Sequence, residues 1–158
     1  MAVSFYEKYK RQVVENGTDW KPINILQLEL IRIIEKITET LEVLKDTTNE
    51  DTLYANPQTI ETYVSDAYLS TVKLCSCLDC EMYILYMENA AIIRYNMIQL
   101  NNFIGSVRMF SEHKNEVIIE NDYLKILADE HKEFKEIFIK WTSLLEKDEF
   151  EDDWNLFK

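Results

Sequence analysis

Two glycines and two prolines in 158 residues leave this chain very few places to turn sharply. Average usage is about 7% and 5%. Hairpins and strand connections draw on Gly, Pro and Asn-Gly pairs, so a β-sandwich or a doubly wound α/β fold is nearly excluded. Between Pro57 and Gly105 neither residue occurs at all. Apolar residues reach 47%, which is ordinary for a globular chain and too high for a disordered one. A chain of this length buries roughly 70% of its unfolded surface, so its core needs no metal or disulfide. What remains is a domain of helices.

The apolar spacing agrees. Residues 3–16 form a short amphipathic stretch that stops at Asn16-Gly17, a helix C-terminus signal. From Ile23 to about Lys45, Leu26, Leu30, Ile33, Ile37 and Leu44 repeat at helical intervals, with Ile34 and Leu41 widening the stripe. Residues 46–52 are polar turn formers and read as a loop. Asn56-Pro57 marks a helix start, a side-chain cap followed by proline at the first helical position. Ile60, Val64, Ala67, Thr71, Leu74 and Leu78 follow from it. One helix from there to Gly105 would run about 72 Å and leave apolar surface uncovered. A break is therefore expected at Cys75–Cys80, where Ser, Cys and Asp are weak helix formers. The next helix should reach from about Asp79 to near Gly105, with a frayed end extending as far as Ser111. Because Met82 to Ile93 is apolar nearly all round, that helix is expected at the centre of the bundle. The last stripe, Leu124, Leu127, His131, Phe134, Phe138, Trp141 and Leu145, alternates intervals of three and four. The predicted fold is an all-α, mainly antiparallel up-and-down bundle of four main helices with a short N-terminal helix. It occupies residues 1–147, and 148–158 form an acidic aromatic tail.

Lys+Arg 17 against Asp+Glu 29 gives a net charge of -12. Nucleic-acid affinity comes chiefly from cations that displace counterions at phosphates, so no nucleic-acid partner is expected, and anionic membranes are disfavoured for the same reason. The N-terminal residues lack the basic start and apolar run of a signal peptide, and no apolar stretch reaches the ~20 residues of a membrane span. Three cysteines within six positions do not make a disulfide framework, which points to a reducing cytoplasm.

Few constellations support catalysis. The Glu-x-x-His pairs of di-metal bundles are absent, because Phe110 and Ala128 precede His113 and His131. Cys75, Cys77 and Cys80 resemble a thiolate cluster but lack a fourth cysteine, and packing as small apolar residues is the simpler reading. No metal and no cofactor is expected. His131 lies on an apolar seam and reads as a core residue bonded to a neighbour. Glu88, in the apolar stretch, is expected to be buried and to pair with Arg94 or Arg32 in a buried polar cluster.

Arg108, four residues, then His113 resembles the Arg–His pair with which helical-bundle ribonucleases of the HEPN superfamily cleave RNA. The resemblance implies metal-independent RNA cleavage by Arg108 and His113. The residue after the Arg is polar in that family and is Met109 here, and the charge of -12 opposes an RNA surface. It stands as the alternative reading.

The tail is the most informative segment. Phe150, Trp154 and Phe157 sit at i, i+4 and i+7 with acids between them, and Leu156 adds a fourth apolar side chain. As a helix it would offer three anchors to an apolar groove, making Phe150, Trp154, Leu156 and Phe157 the expected partner-binding residues. The competing expectation is that these side chains fold back onto their own bundle, since exposed aromatics are a liability. The leading function is a non-enzymatic interaction or adaptor protein, with a protein partner or self-association. An acidic immunity or antitoxin-like inhibitor of a basic partner would be one version.

Overall fold

The structure is a computed structural model that describes residues 4–15, 22–48, 55–77, 82–114, 119 and 121–156. The described residues form five helices and no strand: α1 (Phe5–Glu15), α2 (Pro22–Thr47), α3 (Pro57–Ser76), α4 (Tyr83–Lys114) and α5 (Asn121–Ser143). No helix among them is long and apolar enough to cross a membrane.

The core is built on α2. Leu30, Ile31, Ile33, Ile34, Ile37, Leu41 and Leu44 are all buried there, because α2 packs against α1, α3 and α5 at once. The centre was expected at the helix that is apolar all round, and this is corrected. Among the described residues helix α4 packs on α3 and α5 and on no other helix, so Tyr95, Ile98 and Met109 remain exposed. All-round apolarity records what a helix carries, whereas burial depends on how many neighbours surround it.

Cross-helix contacts run in opposite residue order. Lys45 pairs with Glu61 near one end of α2 and α3, and Gln27 Nε2 donates to the Leu74 carbonyl at the other. On α3 and α4, Tyr63 stacks on Phe103, Ser70 meets Asn96, and Cys77 meets Asn89. On α4 and α5, Tyr86 meets Trp141 and Met97 meets His131. Successive helices from α2 to α5 therefore run in alternating directions.

Helix ends follow local chemistry. Asn56 Oδ1 accepts from the Thr59 N–H at 2.8 Å, with Pro57 behind it, as the sequence predicts. Helix α3 stops at Ser76, inside the expected break, and residues 78–81 lie outside the described part. Helix α4 runs through Gly105 to Lys114, beyond the expected end. Gly105 lies on the exposed side while Phe103, Ile104 and Val107 keep the buried stripe going, so packing holds the helix past it.

Two helix starts are capped from a distance. Ser4 precedes α1, and Glu35 of α2 accepts from the Ser4 hydroxyl at 2.7 Å and from the backbone N–H groups of Phe5 and Tyr6. Met82 precedes α4 and has no side-chain acceptor. Asp148 supplies one, its Oδ2 taking the Tyr83 N–H at 2.8 Å. A carboxylate at a helix N-terminus satisfies an otherwise orphan donor and meets the positive end of the helix dipole.

Candidate functional site

Polar groups inside the bundle concentrate between α3 and α4. Asn96 is buried on the α4 seam, and its Nδ2 donates to Ser70 Oγ at 3.0 Å and to the Asp66 carbonyl at 3.3 Å. Ser70 and Thr71 are buried too, each donating to the carbonyl four residues back. Burial pushes the nearby Asp66 carboxyl above its ordinary range. These groups are satisfied within the fold and leave nothing to act on a ligand. The sequence carries their signal, because Asn96 falls in helical register with Ile93, Leu100 and Phe103.

The polar cluster expected at Glu88 and Arg94 does not form. Both side chains are exposed, with Arg94 at the edge of a cleft between α4 and α5. Arg32, the other expected partner of Glu88, pairs with Glu29 at 2.8 Å and with Glu133 of α5 at 3.5 Å. The hydrogen bond to Glu29 is the chief reason its guanidinium holds its proton more tightly than usual.

Arg108 and His113 lie on one continuous helix, both exposed. Five residues along an α-helix turn two side chains about 140° apart, so α4 does not bring this pair onto one face. Burial, then the Glu35 charge, pushes the Cys75 thiol up to about 11, and a thiol that stays protonated is a poor nucleophile and a poor ligand. Cys77 is buried, with its Sγ against the Lys73 carbonyl at 3.3 Å. Cys80 lies outside the described residues. Among those residues, no group of His, Cys, Asp and Glu is placed to hold a metal.

Two surface features remain. The first is a groove of about 230 Å³ between α4 and α5. Met97 and Ile98 of α4 and Phe134 and Phe138 of α5 make it mostly apolar, with Asn101 and His131 beside them. Arg94 and Lys135 stand at its edges, both exposed, and no acidic residue lines it. Neither cation forms an ion pair among the described residues, in a chain with 29 acids. His131 Nε2 donates to the Met97 carbonyl at 2.9 Å, so the ring is held against the groove floor. Burial lowers the His131 pKa and keeps the imidazole neutral.

The second feature is the tail. Helix α5 ends at Ser143, and the segment beyond it is not the helix that the spacing of its aromatics predicts. Asp148 Oδ1 accepts from the Phe150 N–H, and Asp152 accepts from the N–H groups of Trp154 and Leu156, so carboxylates take donors that a helix would use. Asn155 closes a turn on Asp152 with a positive φ of 54°. Nor do the aromatics fold back. Phe150 is 60% exposed, Leu156 72% and Trp154 92%. Phe157 lies outside the described residues. Among the described residues the tail lies by the start of α4, where Asp148 is bound and Phe150 borders a cleft with Tyr83 and Ile84, and Trp154 and Leu156 are left in solvent.

Comparison with known proteins gives no counterpart: no family model, curated protein or solved structure matches this chain.

Proposed function

We propose that this chain is a non-enzymatic protein-interaction bundle whose acidic aromatic tail engages a partner. The observation that carries the reading is Trp154, nearly fully exposed together with Phe150 and Leu156 on a segment whose first residues are tied to the bundle through Asp148. Leaving three large apolar side chains in water favours any surface that covers them. Trp is also among the residues that most often carry the binding energy of an interface. The flanking acids ask for a partner with an apolar pocket and a basic rim, and opposite charge would also speed the encounter. An acidic inhibitor of a basic protein is one form of this reading.

The test is photocrosslinking from position 156 in the native host, beside the same probe at exposed Lys132. The reading expects discrete adducts from the tail that disappear in Trp154→Ala, and none from Lys132. A tail that gives no adduct, or adducts indifferent to Trp154, would overturn it.

A further inference from the structure

We infer that the groove between α4 and α5 receives Trp154 from the tail of a second copy of this chain. The inference rests on the interaction reading of the tail and names its partner.

Size comes first. Small-molecule sites usually enclose about 300–1,000 Å³. This groove, at about 230 Å³, is smaller and open to solvent, the scale of one aromatic side chain. Its chemistry fits the same occupant. The floor is Met97, Ile98, Phe134 and Phe138, and the edges carry Arg94 and Lys135 with no acid between them. The tail presents the complement: an apolar side chain with the exposed Asp153 directly before it. Two cations that form no ion pair among the described residues and an uncovered tryptophan beside the exposed Asp153 are the two unmet demands of this surface, and one contact satisfies both.

Geometry decides which copy supplies the tail. Asp148 is bonded at Tyr83, and Met97 stands about 21 Å further along the α4 axis at 1.5 Å per residue. The six residues from Asp148 to Trp154 span at most about 20–22 Å when fully extended. They are not extended, because the turn held by Asp152 reverses the chain there. With the Asp148 anchor and this turn in place, a chain does not fill its own groove, and its Trp154 stays in solvent. Two copies can exchange tails about a two-fold axis, each groove taking the other's Trp154, and such an arrangement closes as a dimer.

Sedimentation equilibrium of the full chain tests this, with Trp154→Ala, Ile98→Glu and Lys135→Glu. The wild type is expected to be a reversible dimer, and each variant to raise the dimer Kd at least about tenfold, as loss of a buried anchor or its charge partner requires. Lys135 is exposed, so its variant reads the contact even if Ile98→Glu disturbs the fold. An equimolar mixture of Trp154→Ala and Ile98→Glu is expected to form a heterodimer, because one intact groove still meets one intact tail. A monomeric wild type overturns the inference, whether Trp154 is free or packed in its own groove. So does a dimer unaffected by Trp154→Ala, or a mixture that stays monomeric. The crosslinking experiment separates the two readings. A tail adduct of twice the chain mass supports exchange, an adduct with a different protein overturns exchange and leaves the interaction reading standing, and no adduct overturns both.

Discussion

The two sides of this bundle use similar residues to different ends. On the α2/α3 side, apolar stripes meet neighbours on several sides, and charged groups around them are paired, Lys45 of α2 with Glu61 of α3 at 2.7 Å and Arg32 with Glu29 on its own helix and with Glu133 of α5. On the α4/α5 side, helices meet fewer neighbours, although α4 is as apolar as α2 and α3. There Tyr95, Ile98 and Met109 stay exposed, and Arg94 and Lys135 edge an open groove. Apolar content alone does not decide what is core. The number of neighbouring helices does, and a helix with too few leaves surface available for binding.

The contrast is sharpest in side-chain truncations. Ile34→Ala in α2 is expected to cost about 2–5 kcal/mol, as for any fully buried large-to-small change, and to lower Tm by roughly 5–15 °C in calorimetry. Ile98→Ala on the groove should stay within about 0.5 kcal/mol. Equal losses at the two positions would break the comparison.

The α3/α4 seam should lie between these extremes. Asn96→Ala removes both donors to Ser70 and the Asp66 carbonyl, and is expected to destabilise by about 1–3 kcal/mol in urea unfolding. Gly105→Ala should act the other way. A Cβ there meets nothing within 4 Å, so a gain of about 0.5–1 kcal/mol is expected from helix propensity.

The smallest effect is a pH dependence. His131 has a folded pKa below its ordinary 6.5, through burial. The unfolded chain therefore takes up this proton first on acidification. The His131 contribution to stability is intact above about pH 6.5 and is lost as the pH falls toward the lowered folded value. Asp66 and Glu130, both raised by burial, oppose it: their contribution is present below the ordinary carboxylate range and lost as the pH rises through their raised values. His131→Gln should flatten the fall in Tm between pH 7 and the onset of carboxylate titration. An unchanged slope would remove His131 as its source.

Much of the fold is legible in the sequence because helix stripes and caps are local signals. Leu124, Leu127, Phe134 and Trp141 are buried as their spacing implies, and Asn56 caps α3. Three features are not local. The uncovered side of α4 depends on which helices pack against it, and no periodicity within α4 reports that. The end of α4 depends on packing around Gly105 that outweighs the residue's own preference. The tail has helical spacing, yet Asp148 and Asp152 draw its backbone donors into turns, so pattern and local hydrogen bonding disagree and the bonding wins. The groove is harder still to foresee, since its two walls lie more than thirty residues apart in sequence and only the packing of α4 on α5 sets them side by side.

The bond from Tyr83 to Asp148 has a consequence for the order of events during synthesis. Helix α4 starts after Met82, whose carbonyl takes the Tyr86 N–H, and the carboxylate that takes the Tyr83 N–H comes 65 residues later. Every other helix cap described above lies at most about thirty residues from the helix start it serves. As the chain emerges from the ribosome, α1, α2 and α3 can pack on one another before α4 and α5 cover their remaining faces. The Tyr83 N–H gains this acceptor only after translation has passed residue 148, so the same short stretch both caps α4 and delivers the exposed aromatics that follow it.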